Sequence, residues 1–240
     1  MMDFTKNNFI FFGHRGAPMY APENTMASFE KAIEMGVQGV ELDVLLTNDD
    51  KVVVFHDLDF NRMAGINKKV KNYSYNEILN IDISNKWHKI YGIQKAPLLE
   101  DVIDLIKKHN VILNIEIKST GIFPTKIVNK VVETINSKQV ERQCIVSSFN
   151  PLILRKLKNI SPNIFTSIIW RNKKTSFLFK NYRLMYFISK SNGFHANKNF
   201  INTKLVLWMK NKKIPIYVYT VNSNADLEEM KKIGVNGVFT

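Results

Sequence analysis

The chain has 240 residues, 45% of them apolar, and a formal net charge of +13. That length buries one sizeable core and is near that of a complete (β/α)8 barrel, so a single domain over 1–240 is expected. Cys144 is the only cysteine, which excludes an intrachain disulfide and a cysteine-built zinc site and suits a reducing compartment.

The start of the chain lacks a basic region, and the apolar run Phe9-Ile10-Phe11-Phe12 is too short for a signal sequence or a membrane span. A soluble cytoplasmic protein is expected. The lysines are scattered and no nucleic-acid-binding motif accompanies them, so the charge is read as a solvated basic surface and nucleic acid is not expected as a partner.

In chain order, a β-branched and aromatic strand is predicted over 9–14, a helix over 25–36 and a strand over 38–44. The turn signal Asn48-Asp49-Asp50 leads into a second extended run ending at His56. A connection this short joins only antiparallel strands, so a β-hairpin is predicted above the barrel mouth. Residues 58–97 are polar, rich in Asn and Lys and without sustained periodicity. They stand where a barrel helix is due and read as a small lid-like insertion.

Beyond it the alternation resumes: helix 98–109, strand 111–117, helix 126–137, strand 144–148, and helix 150–159 with Pro151 in its first turn. Strand 164–169, helix 174–188, strand 192–195, helix 202–213, strand 215–220, helix 224–233 and strand 236–240 complete the chain. Eight strands and seven helices in this order describe an α/β (β/α)8 TIM barrel carrying a hairpin and a small insertion above its mouth. Segment 171–190 is basic at both ends and unusually aromatic. Either it packs its apolar side on the barrel or it makes a weak contact with an anionic membrane surface.

Alternation within the strands then selects the chemistry. Glu41 and Asp43 share one face of their strand, and Asn114, Glu116 and Lys118 share one face of another. Three carboxylates converging in a buried mouth repel one another unless a cation lies among them, and oxygen ligands call for Mg²⁺ or Ca²⁺. The competing reading is a set of structural ion pairs with Arg15 and Lys118. His14 and His56 end strands beside this cluster and suit an acid–base pair, because imidazole titrates near working pH. His195, at the end of the sixth barrel strand, 192–195, is placed to face the same mouth. Glu41, Asp43 and Glu116 against one divalent cation, Arg15 and Lys118 leave the mouth at about +1, which suits a phosphodiester monoanion.

The ordered set His14-Arg15-Gly16, Ala21-Pro22-Glu23-Asn24-Thr25, Glu41-Leu42-Asp43-Val44, Val54-Phe55-His56-Asp57, Asn114-Ile115-Glu116-Ile117-Lys118, Ser147-Ser148-Phe149, Tyr219-Thr220-Val221-Asn222 and Gly234-Val235-Asn236-Gly237-Val238-Phe239-Thr240 resembles the glycerophosphodiester phosphodiesterase family over essentially the whole chain. The resemblance implies hydrolysis of small-molecule glycerophosphodiesters to glycerol 3-phosphate and an alcohol; a monomer or small homo-oligomer is expected. It implies Glu41, Asp43 and Glu116 as metal ligands, His14 and His56 as the acid–base pair, and Arg15 and Lys118 as phosphate contacts. Glu23 falls in the family's mouth-lining motif, with Asn24 and Thr25 expected to cap the following helix. Tyr219 stands where the family more often has Trp and keeps an aromatic wall. The family usually continues beyond the position of Thr240, which leaves the last barrel corner open to question. Other readings are a related barrel phospholipase D or C and a non-catalytic binding barrel.

Overall fold

A computed structural model describes residues 9–118, 125–171 and 181–240. The elements in chain order are β1 Ile10–Gly13, α1 Met26–Glu34, β2 Gly39–Leu46, β3 Val52–Val54, β4 Asp59–Phe60, α2 Asn61–Ala64, β5 Ile66–Lys69, α3 Tyr75–Ile78, α4 His88–Tyr91, α5 Leu99–His109 and β6 Ile112–Ile117. There follow α6 Thr125–Lys138, β7 Cys144–Ser148, α7 Pro151–Ile160, β8 Phe165–Trp170, α8 Tyr182–Ser189, β9 Gly193–Asn197, α9 Thr203–Asn211, β10 Ile216–Tyr219, α10 Asn224–Ile233 and β11 Gly237–Phe239. Residues 172–180, part of the expected helix 174–188 and of segment 171–190, lie outside the described residues, and α8 covers the described remainder of that helix.

Eight parallel strands run β1-β11-β10-β9-β8-β7-β6-β2, and pairing of Phe12 with Gly39 and Gly13 with Val40 closes the ring. The barrel predicted from the alternation is the fold. Closure needs Gly39: a Cβ there would lie 2.4 Å from the Phe12 ring. Phe12 fills the barrel interior, stacked on Phe239 at 4.8 Å and edge-on to Tyr217 at 5.4 Å. Ile10, Ile112 and Ile145 complete this plug. Outward-facing side chains of the same strands pack under the helices, which is why the strands are apolar on both faces except at their C-terminal ends.

Helix starts follow local chemistry. Thr25 accepts from the Ser28 amide and starts α1, Asn150 does the same for Leu152 ahead of Pro151, and Ser223 caps α10 through Asp226.

The hairpin forms as predicted, with Val44 opposite Val54 and Leu46 opposite Val52. Regular pairing stops at Val54, and the Phe55 amide still donates to the Asp43 carbonyl at 2.9 Å. The insertion is more built than its polar sequence suggests. Phe55, Phe60, Met63, Val70, Ile78, Ile81 and Ile83 form a core of their own against Leu45 and Val53 of the hairpin. The short α2, α3 and α4 and the β4–β5 pair surround it, each too brief to show periodicity in the sequence.

Asp82 organises the far end of this insertion. It accepts from the Ser84 amide at 2.9 Å, the Gln94 amide at 3.0 Å, the Ser84 hydroxyl at 2.9 Å and His88 Nδ1 at 2.9 Å. Burial pushes its pKa up, but these donors outweigh that and bring it from 3.8 down to about 2. A depressed carboxyl stabilises the folded state above its unfolded pKa, and the contribution is lost as pH falls through the folded value. Acidification from about pH 4 to about pH 2 should therefore loosen segment 82–94. At neutral pH, Asp82→Asn should speed hydrogen exchange of the Ser84 and Gln94 amides by about tenfold.

Candidate active site

The mouth is assembled from the C-terminal ends of the strands. After β1 the chain turns sharply: Arg15 has φ +59° and Gly16 φ +88°. A Cβ on Gly16 would lie 2.4 Å from the Ser28 hydroxyl, so glycine is required on both counts. Ser28, from α1, accepts from the Ala17 amide at 2.9 Å and donates to the Arg15 carbonyl at 3.1 Å. This lock leaves the Arg15 amide free to donate to Glu41 Oε2 at 2.8 Å and sets His14 over the same carboxylate, Nε2 to Oε2 3.9 Å.

Glu41 and Asp43 on β2 lie in register with Asn114 and Glu116 on β6. The three carboxylates are buried, and one oxygen from each lies within 4.8 Å of the others. Lys118 bridges two of them, 2.9 Å from Asp43 Oδ1 and 2.7 Å from Glu116 Oε1. Arg15 Nε approaches Asp43 Oδ2 at 3.5 Å. Asn24, expected as part of a helix cap, does something else. Thr25 alone caps α1, while Asn24, at φ +56°, donates its side-chain amide to Asp43 Oδ2 at 3.0 Å.

The charges are unevenly compensated. Burial raises Asp43, yet Lys118, His56 and Arg15 hold it below the usual carboxylate range. Glu41 is pushed well up by burial and by repulsion from Asp43 and Glu116. Glu116 is also raised by burial, against the pull of Lys118. The cluster is therefore short of positive charge around Glu41. An oxygen-only donor set with that deficit fits a hard divalent cation, and Glu41, Asp43 and Glu116 are the residues that would hold it.

A cavity of about 1180 Å³ opens above this cluster, with His14, Arg15, His56, Glu41, Glu116 and Lys118 on its wall. His14 is lowered to about 4, by burial first and Arg15 second. His56 is lowered by burial too, with Asp43 and Asp57 opposing. Its Nδ1 meets Asp57 Oδ1 at 2.6 Å, which leaves Nε2 as the nitrogen free to exchange a proton elsewhere.

The remaining expected site residues differ in their placement. Tyr219 lines the cavity, donates its hydroxyl to the Trp170 carbonyl at 3.1 Å and meets Phe149 edge-on at 6.4 Å. His195 also lines it but is 2% exposed, packed against Phe239 and Tyr217 and lowered to about 3 by burial. It is floor rather than rim. Glu23 has both oxygens engaged by two arginines, Arg15 at 3.0 Å and Arg62 at 2.6 and 3.0 Å, so it serves to hold Arg15.

Three residues of the mouth escaped the sequence reading. Asp57 orients His56. Arg62, at the start of the insertion, spans Glu23 and Asp57, with Nε 2.6 Å from Asp57 Oδ2. Arg171 lines the cavity and lies over the Phe149 ring at 5.3 Å. The adjacency of Asp57 to His56 was the available signal for the first; the other two carry none. The four extra charges, Asp57 and Glu23 against Arg62 and Arg171, sum to zero, so they do not change the balance among the three carboxylates, Arg15, Lys118 and the cation that the cluster would hold.

Arg62 thus connects the loop after β1 to the hairpin end through two partly exposed ion pairs, which contribute little to global stability. Arg62→Ala should leave the thermal midpoint within a few degrees while the His56 Nδ1 proton, followed by NMR, exchanges about tenfold faster.

The model of the glycerophosphoryl diester phosphodiesterase family matches residues 14–240. A glycerophosphodiester phosphodiesterase of Bacillus altitudinis is 32% identical over 232 residues, 95% of this chain and 93% of the relative. One from Caldanaerobacter subterraneus subsp. tengcongensis is 31% identical over 231 residues, 96% and 93% of the two chains. A solved Oleispira antarctica phosphodiesterase, in complex with the product sn-glycerol-3-phosphate, superposes with a TM-score of 0.87 at 23% identity, over 96% of this chain and 92% of that one. With a barrel of this kind, a mouth of this composition and a match from His14 to the last residue, the chain belongs to the glycerophosphoryl diester phosphodiesterase family.

Proposed function

We propose that this phosphodiesterase hydrolyses glycerophosphodiesters to glycerol 3-phosphate and an alcohol by acid–base catalysis between His14 and His56, with one divalent cation, Mg²⁺ or Ca²⁺, held by Glu41, Asp43 and Glu116. The observation that carries the reading is the single cavity onto which both imidazoles and the buried carboxylate cluster open. The alternatives of a related phospholipase D or C or a non-catalytic barrel have no such support from the family match. The chain acts as one domain, in the cytoplasm, on a small molecule.

A bound cation would act as a Lewis acid on the phosphoryl oxygens. Arg15 and Lys118 contact the phosphodiester and add to the cationic excess that attracts it. His14 directly follows β1 and His56 follows the hairpin strand β3, so the two approach the mouth from different backbone directions, an arrangement that suits in-line displacement. His14 takes the proton from the attacking oxygen, either of water, which gives glycerol 3-phosphate directly, or of a glycerol hydroxyl, which gives a cyclic phosphate that water then opens to glycerol 3-phosphate. His56 gives one to the leaving alkoxide, with Asp57 fixing its ring and stabilising its charged form. Tyr219, Phe149 and Arg171 form the wall against which the alcohol portion rests, and His195 closes the floor beneath it.

Metal dependence is the first expected outcome. Exhaustive chelation should abolish release of glycerol 3-phosphate in a coupled assay, and Mg²⁺ or Ca²⁺ should restore it; full activity after chelation would refute the cation's role. The second concerns the histidines. His14→Ala and His56→Ala should each lose about 10²–10⁴-fold in turnover, and the double variant much less than the product of the two losses. A p-nitrophenyl ester, whose leaving group needs no proton, should rescue His56→Ala and not His14→Ala. Equal rescue of both would overturn the assignment.

A further inference from the structure

The insertion segment Asn85-Lys86-Trp87-His88-Lys89-Ile90-Tyr91-Gly92-Ile93-Gln94-Lys95 contains no acidic residue. Its two isoleucines point outward, Ile90 71% and Ile93 61% exposed. In the loop after β1, Met19 is 74% and Tyr20 53% exposed. The Tyr91 hydroxyl donates to the Tyr20 carbonyl at 2.9 Å, so the two segments form one surface. Trp87 meets Tyr91 edge-on at 6.2 Å between them. Single exposed apolar side chains are ordinary, whereas several large ones gathered together mark a contact surface.

The charges around this patch say what it contacts. Among the described residues, Lys86, Lys89 and Lys95 have no ion-pair partner, and Lys86 lies over the Trp87 ring at 5.2 Å. The neighbouring acids are engaged: Asp82 by His88 and two backbone amides, Glu34 by Lys31. An apolar centre with aromatic rings and unpaired lysines is the composition that rests on anionic lipid, with aliphatic tips among the acyl chains, rings at headgroup level and ammonium groups on phosphates. A second copy of the chain fits less well, because two such faces would oppose like charges. Nucleic acid offers nothing to the isoleucines.

We propose that this face, formed by residues 19–20 and 86–95, docks the protein on an anionic bilayer surface. Residues 19–20 lie in the loop after β1, at the C-terminal end of a barrel strand, and residues 86–95 belong to the insertion that follows the antiparallel hairpin strand β3. The contact shares its two segments with the cavity wall: His14 and Arg15 stand at the head of the first, and the 45% exposed Leu58 at the head of the second. It is built from other residues than segment 171–190, and it brings the protein to the surface where phosphodiesters arise from lipids.

The test is cosedimentation of the whole chain with phosphatidylcholine vesicles, with and without phosphatidylglycerol, at low and high salt. Binding is read without turnover, so its result stands apart from the proposed reaction. Wild type should bind the phosphatidylglycerol vesicles at low salt and release at high salt. Binding should fall at least about tenfold in Ile90→Ser/Ile93→Ser, in Met19→Ser and in Lys86→Gln/Lys89→Gln/Lys95→Gln. Brominated acyl chains should quench a fluorescence component that Trp87→Phe removes. The proposal is overturned if wild type does not bind, if the variants bind as wild type does, or if light scattering shows a dimer that the isoleucine variants dissociate.

Discussion

Three carboxylates held out of water with their oxygens within 4.8 Å of one another repel themselves, and the mouth of this protein is organised around relieving that repulsion. Lys118 bridges Asp43 and Glu116, Arg15 leans on Asp43 through its side chain and on Glu41 through its amide, and Asn24 adds a neutral donor. Buried ion pairs of this kind rarely add net stability, because desolvation cancels most of the attraction. The stability comes from below, from the aromatic and aliphatic plug of Phe12, Tyr217, Phe239, Ile112 and Ile145, and from the helices packed outside. The barrel can therefore hold a site that is electrostatically costly at one end of its strands.

The same constraint explains the backbone after β1. Arg15 and Asn24 both adopt left-handed conformations, which are unfavourable for residues with a Cβ. Each is held there by the contact it makes: the Arg15 amide on Glu41, and the Asn24 side chain on Asp43. The pull reaches further through arginines and carboxylates in alternation. Arg15 is tied to Glu23, Glu23 to Arg62, Arg62 to Asp57 and Asp57 to His56. The insertion, with a hydrophobic core of its own, is thereby connected to the orientation of an imidazole on the cavity wall, and the same insertion carries the exposed Ile90 and Ile93.

The fold and the centre of the site were legible in the amino-acid sequence because both rest on short-range regularities. Extended runs alternating with helical periods specify a parallel barrel, the Asn48-Asp49-Asp50 turn specifies a hairpin, and two-residue alternation puts Glu41 with Asp43 and Asn114 with Glu116. Buried charge on two such strands already implies convergence, since nothing else in a barrel strand would tolerate it. The tertiary structure decided the rest, for the physical reason that it depends on distances between segments with no common period. Only folding brings Arg62 onto Glu23, 39 residues away, turns Asn24 from a cap into a partner for Asp43, and spends both Glu23 oxygens on arginines. Only folding sinks His195 into the floor, gives the irregular insertion its core, and joins Tyr91 to Tyr20 across 71 residues.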